Sequence, residues 1–274
     1  MLNVITRHAV HQDHAKTMDT DALRANFMTE GLFEDGKINL IYTHYDRLIV
    51  GGAVPAGEPL TLDYVAECGT KTVLERREMG IVNLGGSGRI TAGGDAWTME
   101  RGDVLYLGMG AGPITMNGLG RFYIVSAPAH KPYPNRLIRP QDSKEVRLGD
   151  ATTSNKRVIN QFIHPLVMES CQLVLGYTTL LEGSVWNTMP THTHDRRMEA
   201  YLYYNMDPAA RVVHLMGEPQ QTRHLMIGNE QGAISPPWSI HAGAGTGSYS
   251  FVWAMAGDNT DFTDMDFQET ADLK

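Results

Sequence analysis

The chain has 274 residues, of which 42% are hydrophobic and 20% charged, values typical of a soluble globular protein with a sizeable buried core. Its formal net charge of −8 and its lack of basic runs argue against nucleic acid as a partner. Two cysteines, no apolar leader and no apolar stretch of roughly 18 residues argue against a disulfide framework, a secretory signal and a membrane span, and so favour the cytoplasm.

The first predicted element is helical and lies within residues 11–35. Apolar side chains recur there near the spacing of one helix face, at Ala15, Met18, Ala22, Leu23 and Phe27. Gly31 follows the last of them and is the predicted end of the helix, because glycine commonly terminates helices.

The next ninety residues predict a first set of short β-strands. Apolar or alternating runs are separated there by glycine and aspartate, which is typical of strands joined by tight turns. The runs are INLIYTH, DRLIVGGAV, TVLERREMGIVNLGG, GRITAGGDAWTM, DVLYLGMG and RFYIVSAP. The AGGD in the fourth run predicts a hairpin turn, since glycine readily adopts the positive φ that such turns need.

Residues 127–142 contain four prolines and little periodicity, and we interpret them as a connection between two domains. Strand-like runs then resume as RVINQFI, CQLVLGYTTL, AYLYY, RVVHLM, TRHLMIG, GAISP and SYSFVWAMAG, and an acidic tail over 258–274 is expected to be peripheral. Two successive sets of strands predict an all-β protein with minor helices. Its two tandem sandwich or barrel domains are expected to span 1–130 and 131–274.

The segment MPTHTHDRRMEAYLYY contains the strongest candidate for a functional site. On a β-strand, His192 and His194 point to the same face, whereas on a helix they diverge. The polar DRRM that follows predicts a turn, which would bring Glu199 back beside the two histidines, with Tyr201 and Tyr203 on the same face. Two imidazoles and a carboxylate on one concave surface are typical of a site for a first-row divalent metal.

A fourth ligand is expected from a neighbouring strand. His241, in ISPPWSIHAGAG, is the preferred candidate, because the preceding prolines restrict how the chain approaches the site. His164, His214 and His224 are the alternatives.

These motifs support a resemblance to known families. HxHxxxxE followed by PxxxxH resembles the paired motifs of the cupins, whose metal lies inside a small β-barrel. A more specific resemblance covers nearly the whole chain. The segments YTHYDRLIVGGA, ERREMGIVNLGG, TSNKRVINQF, GSVWNTMPTHTHDRRMEAY and ISPPWSIHAGAGT resemble the 4-deoxy-5-ketouronate isomerase family.

That resemblance implies two tandem cupin-like domains and an aldose–ketose isomerase of pectin and uronan breakdown. The implied reaction converts 5-dehydro-4-deoxy-D-glucuronate to 3-deoxy-D-glycero-2,5-hexodiulosonate. One Zn²⁺ per chain would be bound by His192, His194, Glu199 and His241. The implied partners are a small uronate substrate and five further copies in a homohexamer, with neither nucleic acid nor membrane involved.

The N-terminal domain is expected to lack a metal, because its Glu75–Glu78 cluster contains no HxH. We interpret that cluster as a salt-bridged surface or a subunit contact.

The sequence leaves the catalytic base unassigned. Tyr201 and Tyr203 are possible proton carriers, because they are expected on the same strand face as Glu199. A uronate carboxylate needs a cation, and the candidates are Lys156, Arg157, Arg196, Arg197 and Arg223. Three other functions also fit the motifs: isomerisation of galacturonate or glucuronate, a metal-dependent cupin dioxygenase, and a sugar-binding or storage cupin.

Overall fold

The computed structural model describes residues 1–258 and 263–274, so residues 259–262 of the predicted acidic tail lie outside the description. The chain forms two compact units, each made of several segments. The first unit comprises Met1–Arg7, Gly31–Lys144 and Gln161–Leu175. The second comprises His8–Glu30, Glu145–Asn160 and Gly176–Lys274. The expected division after residue 130 is a single cut, whereas the chain passes between the units several times.

The α-helices are short, at α1 (Gln12–Ala15) and α2 (Thr20–Phe27). The Asp19 carboxylate caps α2 by accepting a hydrogen bond from the backbone N–H of Ala22. The predicted end at Gly31 is wrong, because α2 ends at Phe27 and a strand begins at Met28. Neither helix is long or apolar enough to cross a membrane.

Strands dominate both halves of the described chain. The first half contains β1 (Leu2–Arg7), β2 (Met28–Thr29), β3 (Lys37–Thr43), β4 (Ile49–Val54), β5 (Leu60–Leu62), β6 (Arg77–Asn83), β7 (Gly88–Ala92), β8 (Asp95–Met99), β9 (Val104–Leu107), β10 (Ile114–Gly118), β11 (Phe122–Pro128) and β12 (Arg136–Ile138). The second half contains β13 (Lys144–Leu148), β14 (Arg157–Ile163), β15 (Val174–Leu180), β16 (Trp186–Asn187), β17 (His192–Thr193), β18 (Arg197–Tyr204), β19 (Val212–Glu218), β20 (Gln221–Ile227), β21 (Gln231–Ser235), β22 (Ala242–Gly245), β23 (Ser250–Gly257) and β24 (Asp266–Phe267). Single turns of 3₁₀ helix occur at Ala66–Cys68, Pro140–Asp142, Ala151–Thr153 and Thr270–Asp272.

The strands of the first unit form a seven-stranded sheet in the order β1-β3-β4-β11-β6-β9-β12 and a four-stranded sheet in the order β5-β10-β7-β8. Their facing sides enclose an apolar core that includes Leu62, Met79, Ile90, Met116 and Phe122. The predicted hairpin is confirmed, because β7 and β8 are joined through Gly93 and Gly94, both with positive φ.

A second pair of sheets repeats this arrangement. Its seven strands run in the order β13-β14-β15-β23-β18-β21-β2 and its four in the order β16-β22-β19-β20. Strand β18 thus holds the position that β6 holds in the first large sheet. A further pair, β17 with β24, lies beside the predicted metal motif. The all-β expectation is confirmed.

The sequence patterns missed mainly short strands and edge strands. β1 pairs in parallel with β3 and its side chains do not alternate between buried and exposed, and β2 pairs with β21 over only two residues, so neither shows a recognisable period of two. The proposed connection over 127–142 contains β12, which forms three pairs with β9. The start of TVLERREMGIVNLGG is not a strand, since β6 begins only at Arg77.

Candidate metal centre

The local fold around the HxH motif follows the predicted pattern with a shorter turn than DRRM, because Arg197 and Met198 already belong to β18. His192 lies on β17, a turn covers residues 195–196, and β18 then carries Glu199. Hydrogen-bonded neighbours on both sides hold β18, because Glu199 pairs with Ser235 of β21 and with Met255 of β23. This central position in a large sheet gives the carboxylate a rigid support.

The four predicted ligand residues come together in the second unit. One donor atom from each of His192, His194, Glu199 and His241 lies within 4.8 Å of the others, and all four side chains are buried. The Oε2 of Glu199 is 3.1 Å from Nε2 of His194 and 3.1 Å from Nε2 of His241. The Nε2 atoms of His192 and His241 are 3.0 Å apart. Donor atoms around a tetrahedral zinc ion, with bonds of about 2.0–2.1 Å, are separated by about 3.4 Å. The observed group therefore has the size of a metal site.

Hydrogen bonds behind the ligands orient two of the imidazoles. The Arg197 carbonyl can only accept, so Nδ1 of His194, at 2.9 Å, carries the proton. The Ser235 hydroxyl donates to the Ser239 carbonyl and lies 3.2 Å from Nδ1 of His241, from which it can accept. In the neutral rings the Nε2 lone pairs then face the Glu199 carboxylate. Lone pairs this close repel unless a proton or a metal ion lies between them, so the donor set fits a metal ion.

The charge states of the buried groups also suit a metal. Burial is the largest influence on His192 and, with the nearby His241, lowers its pKa to about 3, so its ring is neutral at pH 7. Burial opposes ionisation of Glu199, but its close contacts with His241 and His194 hold the pKa of that carboxyl well below its usual value. The site therefore offers a neutral imidazole and an ionised carboxylate, the forms in which these groups bind metals.

A polar interior continues from this group along the barrel. The Tyr201 ring centroid lies 5.7 Å from that of His241, and the Tyr201 hydroxyl is 3.3 Å from Oγ1 of Thr188. Beyond it, the Tyr203 hydroxyl lies 2.8 Å from Nδ1 of His214. Burial raises the pKa of both tyrosines well above the usual value, so both remain protonated hydrogen-bond donors. We call Tyr201, Tyr203, His214, Asn187 and Tyr249 the polar interior.

Two atoms of the polar interior have no hydrogen-bond partner among the described residues. They are Nε2 of His214 and Oδ1 of Asn187, both buried. The Nδ2 of Asn187 donates to the Tyr249 hydroxyl at 2.7 Å. Unpaired buried polar atoms are costly, and a pair of them in one interior is typical of a site that binds a polar ligand.

The competing histidines lie elsewhere. His164 belongs to the first unit, and His224 is exposed on β20. His214 is buried beside Tyr201, at 5.4 Å between ring centroids, and is not one of the four grouped residues.

The candidate cations have different environments. Asp264 accepts from Nη2 of Arg196 at 3.0 Å and lies 2.6 Å from Nη2 of the fully buried Arg197. Both Nη atoms of Arg223 donate to backbone carbonyls, those of Thr222 and Lys16. Lys156 is exposed, whereas Arg157 is half-buried.

The surface interpretation of the Glu75–Glu78 cluster is wrong for two of its members. The Arg77 guanidinium is buried and donates to the carbonyls of Arg47 and Ser126. Glu78 is fully buried, and its carboxylate accepts from the Tyr106 hydroxyl and from backbone N–H groups of the 171–173 segment. Local charge content suggested a surface, but distant acceptors for Arg77 and distant donors for Glu78 make the burial possible.

The described part of the acidic tail is mostly exposed, as expected, but it reaches the metal motif. Asp266 and Phe267 form β24, which pairs with His192 and Thr193 of β17. The Phe267 ring lies 5.7 Å from the His192 ring, although most of its side chain is exposed. The signal available in the sequence was the opposite charge of the tail and of the Arg196–Arg197 pair.

Comparisons with known proteins agree with this architecture. A model of the KduI/IolB family matches residues 27–271. A 4-deoxy-L-threo-5-hexosulose-uronate ketol-isomerase from Agrobacterium fabrum is 65% identical over 274 residues, covering 100% of both chains. Proteins of the same name from Cereibacter sphaeroides and Shouchella clausii are 60% and 48% identical, and each match covers at least 98% of both chains.

Solved structures share the fold at low identity. An IolB-like protein from Salmonella typhimurium superposes with a TM-score of 0.68 at 17% identity, covering 81% of this chain and 86% of that one. Oxalate decarboxylase from Lactobacillus farciminis superposes with a TM-score of 0.54 at 12% identity, covering 77% of each chain. These similarities show a cupin-like fold.

Proposed function

This chain belongs to the KduI/IolB family, and we propose on that basis that it is a ketol-isomerase of uronate breakdown. It converts 5-dehydro-4-deoxy-D-glucuronate, also named 4-deoxy-L-threo-5-hexosulose uronate, to 3-deoxy-D-glycero-2,5-hexodiulosonate. The observation that carries this function is the 65% identity, over the full length, to a ketol-isomerase of that substrate. The dioxygenase, hexuronate-isomerase and storage alternatives are not favoured, because full-length relatives at 48–65% identity share the ketol-isomerase name.

We further propose that His192, His194, Glu199 and His241 bind one Zn²⁺ per chain. Their spacing, their burial and the hydrogen bonds to His194 and His241 support a metal site. The choice of zinc rests on the family resemblance and on the type of reaction. The isomerisation is redox-neutral overall, which suits zinc because this ion has no redox chemistry. When bound, such an ion acts as a Lewis acid that polarises the substrate carbonyl.

The protein's own residues would orient the sugar and handle its protons. We call the four predicted metal ligands the ligand group. The Tyr201 hydroxyl remains protonated next to it, so we propose that this hydroxyl donates a hydrogen bond to a substrate oxygen. His214 and Asn187 present an unpaired nitrogen and an unpaired oxygen, which can pair with the substrate hydroxyl groups.

Three further proposals concern the protein as a whole. We propose that the first unit is structural and metal-free, which the apolar filling of its core supports.

We propose a homohexamer from the family resemblance. Light scattering should report six chains, and a monomer at micromolar concentration would contradict this. A cytoplasmic location is proposed because Cys68 and Cys171 are unpaired.

The direct test of the function is an assay of purified, metal-loaded protein on 5-dehydro-4-deoxy-D-glucuronate. We expect NMR to show loss of the aldehyde and formation of the 2,5-diketo product. Oxygen uptake should stay at background, because isomerisation consumes no oxidant. The proposal is overturned if the fully metallated protein leaves this substrate unchanged.

A further inference from the structure

Five cationic side chains are candidates for the group that binds the substrate carboxylate, and they differ in the partners that surround them. Arg196 and Arg197 share Asp264 as their ion-pair partner. The guanidinium of Arg223 is held by backbone carbonyls, and Lys156 is exposed. Arg157, on β14 of the second large sheet, is the remaining candidate.

The Arg157 side chain lies next to the polar interior. The Leu181 N–H donates to the Lys156 carbonyl at 2.9 Å, beside β14, and the Leu180 N–H, at the end of β15, donates to the Tyr249 carbonyl at 3.0 Å. One strand therefore separates Arg157 from Tyr249 of the polar interior. Tyr201 is the immediate neighbour of the ligand group, with its ring 5.7 Å from that of His241. Arg157 and the ligand group are therefore both adjacent to the polar interior.

The charge of Arg157 is incompletely compensated. Its Nη1 donates to the Asn155 carbonyl at 2.9 Å, which uses one of the five donors of a guanidinium. Across residues 1–258 and 263–274, no carboxylate forms an ion pair with it. Burial lowers the pKa of Arg157, which reflects the cost of keeping a charge half-buried without a counter-charge. An anionic ligand would relieve that cost.

We propose that Arg157 binds the C6 carboxylate of the substrate and so sets the specificity for uronates over neutral sugars. This proposal rests on the proposed function. The reacting carbons C1 and C2 and the carboxylate C6 are at opposite ends of a six-carbon chain. A substrate whose aldehyde end lies at the ligand group and whose carboxylate lies at Arg157 would extend along the polar interior. The planar guanidinium suits this role, because it can donate two parallel hydrogen bonds to a carboxylate.

The test compares steady-state kinetics of the wild type, Arg157→Gln and Arg157→Lys on 5-dehydro-4-deoxy-D-glucuronate and on its C6 methyl ester. For Arg157→Gln we expect KM for the acid to rise by about 30–300-fold while kcat falls by less than about 5-fold, since a buried charge pair typically contributes this much to binding. Arg157→Lys should retain part of the affinity, because it keeps the charge but loses the paired hydrogen bonds. The wild type should prefer the acid to the ester, and Arg157→Gln should lose most of that preference.

Lys156→Gln is the matched control, because it removes the adjacent, exposed positive charge and should leave KM unchanged. An unchanged KM or an unchanged acid-to-ester preference in Arg157→Gln overturns the proposal. A fall in kcat with unchanged KM also overturns it. If Arg157→Gln does not fold, Arg157→Lys decides, and a wild-type KM in that variant contradicts carboxylate binding. Failure of the proposed function would be distinct, because the wild type itself would then be inactive on the acid.

Discussion

The strands β6 and β18 hold the same position in two sheets of the same strand order, yet they place a glutamate on opposite faces. Both strands begin with a buried arginine, Arg77 or Arg197, that pairs with the last residue of the neighbouring strand. The next two residues are Glu-Met in β6 and Met-Glu in β18. Because side chains alternate along a strand, this exchange decides which face receives the carboxylate.

The consequence differs between the two units. In the first, Met79 joins the apolar core, and Glu78, on the other face, binds the 171–173 segment through backbone N–H groups. In the second, Glu199 joins three histidines and Met198 takes the alternate face. A single topology therefore supports either a packed core or a polar site, and the interior side chains decide between them.

The largest expected effect comes from Glu199→Met. This change gives the third position of β18 the residue that β6 has there, Met79. We expect metal affinity to fall by more than about 100-fold, because loss of outer-shell partners alone typically costs 10–100-fold. Activity should be abolished with it. Metal content after dialysis, measured by mass spectrometry, checks this, with the exposed Glu182→Met as control. The double change His192→Ala with His194→Ala should give the same result, and near-stoichiometric metal in either variant would refute the ligand assignment.

A second test removes the carboxylate of the first unit, in Glu78→Ala. The buried tyrosine hydroxyl and the backbone N–H groups of the 171–173 segment would lose their acceptor, at an expected cost of about 3 kcal/mol in the free energy of unfolding. Metal content per folded chain should remain that of the wild type. Urea unfolding followed by fluorescence measures the loss, and the exposed Glu58→Ala should change little. Loss of metal in Glu78→Ala would contradict a purely structural role.

A third test concerns pH and the buried His214 of the second barrel. Burial, with a smaller contribution from His241, lowers its pKa from about 6.5 to about 3 in the folded protein. Between these values the unfolded chain binds a proton that the folded chain does not, so stability is complete above pH 6.5 and falls as the pH decreases. At pH 5 this amounts to about 2 kcal/mol for one group.

His214→Gln should therefore lose less stability than the wild type between pH 7 and pH 5, although it is less stable at pH 7. Unfolding midpoints in urea at the two pH values measure the difference. Equal losses in the two proteins would show that His214 does not titrate in the expected way.

The smallest expected effect concerns the segment His8–Glu30, which belongs to the second unit although the chain begins in the first. Asp19→Ala removes the N-cap of α2 and should cost about 1 kcal/mol. Asp19→Asn keeps a capping oxygen and is the matched control. Thermal unfolding measures both variants, and equal losses would show that the cap hydrogen bond contributes little.

Local patterns in the sequence were enough to predict the β class, the β7–β8 hairpin and the grouping of His192, His194 and Glu199. Each depends on backbone conformation over a few residues: positive φ at two glycines in the hairpin, and alternation plus one turn in the site. The preference for His241 came from its local proline context, and its place in the group agrees with that preference.

Features that depend on distant neighbours required the tertiary structure. The burial of Arg77 and Glu78 depends on acceptors and donors that lie far from them in the chain, such as Ser126 and Leu173. Likewise, Arg157 differs from the other candidate cations only by what surrounds its side chain. Sequence spacing specifies which residues share a face, whereas the free energy of burying a charge depends on the partners that folding brings to it.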